Sequence, residues 1–67
     1  MAYKCPVCNK VWPNTRELAR HILGTGDKPH KDWIGSKGLS FADLLLMGSK
    51  GYQTLSELLE REAEKVD

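Results

Sequence analysis

The first residues of this chain combine β-favouring side chains with a polar, turn-forming centre, which is the pattern of a short hairpin. The β-favouring members are Tyr3, Val7, Val11 and Trp12. Because aromatic and β-branched residues fit a pleated, half-buried surface, they predict two short strands within residues 3–12. The tetrapeptide CPVC (residues 5–8) supplies the tight turn between them.

Residues 15–23 have the apolar spacing of a helix about two turns long. The residues expected on its inner face are Leu18, His21 and Ile22. Asn14 or Thr15 can serve as the N-cap, because the side-chain oxygen can accept from an unpaired backbone N–H of the first turn. Gly24 stands where a left-handed residue commonly ends a helix, so we expect the helix to stop there.

The second half of the chain predicts further helices. Residues 32–37 can form one helical turn, and Ser40 with Asp43 three residues later is a capping signature for a helix that runs to Gly48. The segment GSKG, residues 48–51, is typical of a turn. We expect the aromatic side chains of this half to pack in a core rather than to stack on bases: Trp33, Phe41 and Tyr52.

The last predicted helix has the clearest amphipathic pattern. Thr54 followed by Glu57 repeats the capping signature and predicts a helix over residues 55–66. Its apolar stripe consists of Leu55, Leu58, Leu59, Ala63 and Val66. This stripe either folds back on the preceding leucine-rich helix or docks onto a partner or a second copy of the chain.

The cysteines and histidines of the chain form one spaced set, C-x2-C-x12-H-x8-H. Its members are Cys5, Cys8, His21 and His30. Thiolate sulfur and neutral imidazole nitrogen are the preferred ligands of zinc, so the set predicts a tetrahedral Zn²⁺ site. A core of fewer than about 70–80 residues rarely supplies more than ~3–5 kcal/mol. Zinc binding contributes roughly 10–16 kcal/mol in small finger peptides, much of it as folding free energy.

Apolar residues around these ligands also follow a known arrangement. Tyr3 stands two residues before Cys5, Trp12 follows Cys8 after three residues, and Leu18 precedes His21 with two residues between them. In this respect residues 3–23 resemble the two-cysteine, two-histidine zinc finger family. The resemblance implies a ββα finger.

The expected fold class is therefore a small, metal-stabilised α+β domain. We expect residues 1–67 to form a single domain, in which residues 1–31 are the finger and residues 32–67 are an extension of two or three helices packed on it.

The spacing before the last histidine is longer than the family pattern. The family's second histidine follows the first after three to five residues, whereas eight residues separate His21 from His30. We expect the helix to stop at Gly24 and a loop after it, within the insert of residues 22–29, to carry His30 back to the metal. Asp27, or a ligand from outside the chain, is the alternative fourth donor.

The resemblance also implies nucleic-acid contacts from the finger helix, because the family reads bases from three helix positions. Asparagine can pair with adenine, glutamate with cytosine and arginine with guanine, while lysines can contact phosphates. The candidate contacts are Asn14, Arg16, Glu17, Arg20, Lys28 and Lys31. An ordinary solvated surface is the alternative interpretation of these residues.

Charge is distributed unevenly along the chain. Residues 1–31 carry six lysines or arginines against two acidic residues, whereas residues 32–67 carry four against seven. The basic front and not the acidic extension is expected to approach a polyanion. We therefore expect a zinc finger protein that binds nucleic acid, DNA more than RNA, as a small transcription regulator or accessory factor.

Two alternatives to this function belong to other classes. The first is a zinc-stabilised protein-interaction module or homodimer that uses residues 55–66. The second is an enzyme, which is not expected: CPVC could be a redox pair, but no βαβ pattern surrounds it and no glutamate base stands beside the ligands. We likewise expect no small-molecule substrate.

The hydropathy of the chain and its two cysteines predict where in the cell it is found. No apolar stretch is long enough to cross a bilayer, and the first residues do not have the charged start and apolar run of a leader. We expect no membrane contact and an intracellular, reducing compartment, in which free thiolates persist.

Overall fold

The hairpin at the front of the chain is present in the computed structural model, which describes residues 2–66. Strand β1 (Ala2–Lys4) pairs antiparallel with β2 (Val11–Trp12), and Tyr3 lies opposite Trp12. Inside the hairpin, the backbone N–H of Cys5 donates to the carbonyl of Lys10 at 2.8 Å. The turn between the strands is therefore closed by its own backbone.

A third strand extends this sheet on the other side of β1. Strand β3 (Glu64–Val66) pairs antiparallel with β1, and the strand order is β2-β1-β3. Glu64 lies opposite Lys4, and their charged groups are 3.5 Å apart. The prediction of a helix up to residue 66 is therefore wrong. The backbone becomes extended at Ala63, and residues 64–66 pair with the edge of β1 that β2 leaves open.

The helix that carries His21 is two residues longer than predicted. Helix α1 spans Thr15–Thr25, is capped by the Asn14 side chain, and ends at Gly26, whose φ is +63°. Gly24 lies inside the helix and does not stop it. Two glycines stand two residues apart, and only the second adopts the left-handed conformation that ends a helix.

The predicted loop before His30 is mostly helical, so that prediction is wrong. Helix α2 spans Lys28–Ser36, and the side chain of Asp27 caps it by accepting from the backbone N–H of His30 at 3.1 Å. Pro29 fits in the first turn, where its missing N–H would have no helical partner. The helical turn predicted at residues 32–37 is thus the second half of a helix that begins before His30.

The leucine-rich helix begins as predicted. Helix α3 spans Phe41–Leu46, and the Ser40 hydroxyl accepts from the backbone N–H of Asp43 at 3.4 Å. The helix ends at Leu46, two residues before the predicted end at Gly48.

The last helix starts earlier than predicted. Helix α4 spans Ser49–Glu62, so residues 49–51 are helical rather than part of a turn, and Thr54 lies inside the helix rather than at its cap. Gly51 packs so closely on α3 that an added Cβ would lie 1.9 Å from the carbonyl oxygen of Leu44. The first turn of α4 has no side-chain cap, so the packing of Gly51 on α3 is what stabilises it.

The core lies where α4 packs against α1. The largest fully buried side chains come from the hairpin and from three helices, namely Cys5, Leu18, Ile22, Ile34, Leu55 and Leu59. The apolar stripe of the last helix therefore folds back within the chain, as one of the two alternatives predicted. Leu45 points the other way and is 49% exposed.

The architecture over residues 2–66 is a small α+β fold with a three-stranded antiparallel sheet and four helices. Within that range, none of the helices combines the length and apolar character that a bilayer crossing needs.

Candidate metal centre

The four spaced cysteines and histidines come together at one point of the fold. Cys5 follows β1, Cys8 lies in the hairpin turn, His21 projects from α1, and His30 lies in the first turn of α2. One ligand atom from each of the four lies within 4.8 Å of the other three. The group can therefore hold a metal ion.

Two sulfur–nitrogen pairs define the geometry. Cys5 Sγ lies 3.6 Å from His30 Nε2, and Cys8 Sγ lies 3.3 Å from His21 Nε2. Cys5 and His30 are buried, whereas His21 is half-buried and Cys8 is exposed. The centre thus has one side in the core and one side toward solvent.

His30 is held from behind by Asp27. Its ring Nδ1 donates to Asp27 Oδ1 at 2.5 Å, and the same carboxylate oxygen accepts from the His30 backbone N–H. With Nδ1 engaged, the Nε2 lone pair is directed toward the sulfur side, which is how carboxylates orient metal-binding histidines. The hydrogen bond from His30 holds the pKa of the Asp27 carboxyl below its usual range.

Asp27 is the alternative fourth donor that the sequence suggests, but it lies outside the group of ligand atoms. The four ligand atoms that lie together come from the cysteines and histidines alone. Asp27 instead contacts the opposite ring nitrogen of His30. An aspartate three residues before a histidine can both cap a helix and orient the imidazole. That signal applies here only if residues 28–36 are helical, which the sequence pattern did not indicate.

Trp12 packs beside the centre by stacking on His21. The two ring centroids are 4.7 Å apart with an interplanar angle of 26°. His21 in turn meets His30 edge to face, with centroids 5.1 Å apart. Each imidazole is therefore restrained by an aromatic neighbour as well as by its helix.

The titration of the ligands differs between the buried and the exposed side. Burial raises the pKa of the Cys5 thiol. Burial also acts to raise the pKa of Cys8, but hydrogen bonds from the Lys10 backbone and from the side chains of His30 and Cys5 outweigh it and lower that pKa. Burial, together with the nearby charges of His30 and Lys10, lowers the pKa of His21 and favours the neutral imidazole that a metal requires.

The six candidate nucleic-acid contacts lie on two helices. On α1, the Asn14 side chain is used as the N-cap, and Glu17 lies 3.9 Å from Arg20. Arg16 and Arg20 are exposed and line one cavity together. On α2, Lys28 is exposed, and the Lys31 amine lies 5.3 Å from the centroid of the Phe41 ring.

Sequence reasoning missed a polar contact that joins three elements around Glu60. Tyr3 donates its hydroxyl proton to Glu60 Oε2, and the buried Thr15 hydroxyl donates to Glu60 Oε1, each at 3.1 Å. Thr15 Oγ1 also lies 2.6 Å from the hydroxyl of Ser56. Contacts between residues more than 40 positions apart leave no local signal in the sequence.

No protein-family model matches this chain, and no curated protein and no solved structure matches it either.

Proposed function

We propose that Cys5, Cys8, His21 and His30 bind one Zn²⁺ ion. Zinc–sulfur bonds of about 2.3 Å and zinc–nitrogen bonds of about 2.0–2.1 Å at a tetrahedral angle require sulfur–nitrogen separations of about 3.5 Å. The two sulfur–nitrogen separations, 3.3 Å and 3.6 Å, bracket that value, and all four ligand atoms lie within 4.8 Å of one another. This agreement is the observation that supports the metal assignment most strongly.

The role proposed for the ion is structural. Four protein ligands complete a tetrahedral shell and leave no position for a substrate or an activated water, which is the arrangement of structural zinc sites. The ligands come from the hairpin, α1 and α2, so one ion links the three elements. Its thiolates persist in a reducing compartment, which supports an intracellular location.

The activity that we propose for the zinc-stabilised chain is binding of nucleic acid, DNA more than RNA, as a small regulator or accessory factor. Arg16 and Arg20 support it, since both lie exposed on the helix that carries the metal ligand His21. A hairpin followed by this helix is also the order that the zinc finger family implies. The ion would hold the helix in a fixed orientation, which lowers the entropic cost of presenting both guanidinium groups.

Phosphates rather than base edges are the expected contacts. The Asn14 side chain already caps α1, and the Glu17 carboxylate faces Arg20, so two of the base-reading candidates are occupied within the chain. Arginine contacts to phosphate give affinity with little sequence discrimination. We therefore expect modest, salt-dependent affinity.

A titration of the zinc-loaded chain against labelled random-sequence DNA and RNA, single-stranded and duplex, at two salt concentrations tests this proposal. Binding that tightens at low salt, with DNA preferred, is the expected result, because cations that neutralise phosphates release counterions. Isotherms that stay flat up to high micromolar protein at low salt on every probe would reject it.

An interaction module is the second candidate, and one observation favours it. Three apolar side chains at the end of α3 are exposed: Leu45 by 49%, Leu46 by 86% and Met47 by 44%. Self-association through residues 55–66 stays a prediction, but Leu55 and Leu59 are already in the core. Sedimentation of the wild-type chain and of Leu46→Ser over a range of concentrations separates these surfaces.

A further inference from the structure

A groove lies between α1 and α4, away from the metal ligands. Its volume is about 500 Å³, which is within the range of roughly 300–1,000 Å³ that ligand sites occupy. One wall carries the two arginines of α1. The lining residues are Arg16, Arg20, Ser49, Tyr52, Gln53, Ser56 and Glu57.

The two arginines on the α1 wall can bind a single anionic group. Arg16 and Arg20 are four residues apart, so both side chains lie on the same face of α1. Among residues 2–66, Arg16 makes no ion pair, and Arg20 makes only the 3.9 Å contact with Glu17. Guanidinium groups bind phosphate oxygens in a bidentate manner, so two adjacent ones with little internal pairing match a phosphate ester.

The opposite wall offers the Tyr52 ring, for which residues 2–66 provide no stacking, cation–π or side-chain hydrogen-bond partner. Tyr52 is 36% exposed and lies outside the apolar cluster that packs around the core. The other aromatic rings are engaged: Tyr3 bonds Glu60, Trp12 stacks on His21, and cations cover Trp33 and Phe41. The expectation that Tyr52 packs in the core is thus not met, and its ring is free to stack on a planar ligand.

The remaining lining groups suit a sugar and a base edge rather than a second phosphate. Ser49 and Gln53 offer neutral donors and acceptors on the α4 wall, and Glu57 adds a carboxylate. A carboxylate repels additional phosphates but accepts hydrogen bonds from amino or hydroxyl groups. The groove therefore combines a cationic end, an aromatic surface and a hydrogen-bonding edge. These three features suit the phosphate, the base and the sugar or base edge of one nucleotide.

We infer that this groove binds single-stranded nucleic acid, with Arg16 and Arg20 on one phosphate and the Tyr52 ring stacked on an adjacent base. The inference rests on the proposed nucleic-acid function and names the form of its ligand. A base within a duplex is already paired and stacked, whereas an unpaired base can lie on an aromatic side chain. The Glu57 carboxylate on the α4 wall also disfavours a second phosphate strand.

The test uses the full zinc-loaded chain and fluorescence anisotropy. The probes are a labelled eight-nucleotide single strand of DNA, the same sequence as a duplex, and unlabelled adenosine monophosphate and inorganic phosphate as competitors. The variants are Arg16→Gln with Arg20→Gln, Tyr52→Leu, and Tyr52→Phe, with Arg61→Gln as a control that removes one exposed positive charge outside the groove. Each variant must first give the wild-type cobalt spectrum, which shows that the metal centre is intact.

The expected result is several-fold tighter binding of the single strand than of the duplex. The double arginine variant should lose at least tenfold in affinity and Tyr52→Leu at least about fivefold, the lower limit for losing one stacked base. Tyr52→Phe and Arg61→Gln should stay within about twofold of wild type. Adenosine monophosphate should compete only weakly, and better than inorganic phosphate.

Three outcomes overturn the inference and one overturns the function beneath it. Duplex binding as tight as single-strand binding, or a Tyr52→Leu variant with wild-type affinity, rejects stacking in the groove while leaving nucleic-acid binding intact. Adenosine monophosphate that binds as tightly as the strand identifies a free nucleotide as the ligand and rejects the strand. No binding of any oligonucleotide rejects the proposed function itself.

Discussion

Asp27 accepts hydrogen bonds from both the ring Nδ1 and the backbone N–H of His30. One carboxylate therefore caps α2 and directs the imidazole of the last ligand toward the other three. This relationship explains how a histidine nine residues after His21 reaches the other three ligand atoms, because a second capped helix positions it.

Replacing Asp27 should weaken metal binding without removing a ligand. Loss of a partner that orients a metal-bound histidine typically costs 10–100-fold in metal affinity. We expect Asp27→Ala to fall in that range and Asp27→Asn to lose less, since an amide oxygen still caps the helix and accepts from Nδ1. Competition against a zinc chelator measures both, and Asp32→Ala, an exposed acid on the same helix, is the matched control. A wild-type affinity for Asp27→Ala would contradict the orienting role.

Cobalt substitution tests the ligand set itself. Tetrahedral sulfur–nitrogen coordination gives intense visible bands, and we expect His30→Ala to shift them because a water or buffer ligand must replace the imidazole. His21→Ala should in addition unfold the front of the chain, since α1 loses its link to the hairpin. An unchanged spectrum for His30→Ala would mean that the fourth donor lies elsewhere.

The Trp12 ring should stabilise the metal-loaded state through its stack on His21. Trp12→Ala removes a partly buried aromatic ring, and we expect a loss at the lower end of the roughly 3–5 kcal/mol range for such truncations. Trp12→Phe keeps a ring on His21 and removes an indole N–H that is buried without a partner among the described atoms, so it should stay within about 1 kcal/mol of wild type. Chemical denaturation of the zinc-loaded variants compares them. Equal losses for the two variants would show that the stack itself contributes little.

Two helical glycines should respond in opposite directions to the same substitution. Gly24→Ala places a methyl group in open space inside α1 and should stabilise the fold by about 0.5–1 kcal/mol, because alanine favours helix. Gly51→Ala drives its methyl group into the Leu44 carbonyl and should destabilise by about 1–3 kcal/mol. Thermal unfolding of both variants at fixed zinc concentration checks the signs. A neutral Gly51→Ala would mean that α3 and α4 are not in close contact.

Much of the local structure could be predicted from short-range signals. The hairpin, the Asn14 cap of α1, the Ser40 cap of α3 and the grouping of two cysteines with two histidines all depend on residues that are near in sequence or of distinctive chemistry. The errors fall where a residue with a suitable local signal is not the one that the fold uses. The pattern favours Gly24 as the end of α1 and Thr54 as the cap of the last helix, whereas α1 ends at Gly26 and α4 begins at Ser49.

The amino-acid sequence alone determined the donor chemistry of the proposed metal site, the hairpin and the residue that caps α1. Ligand type, strand preference and helix capping each depend on residues a few positions apart. Tertiary structure decided that residues 64–66 form a strand, that Asp27 supports His30 instead of joining the ligands, and that Arg16 and Tyr52 share a groove. Each of these depends on contacts between distant segments, whose free energy exceeds the small local preferences that a pattern can reveal.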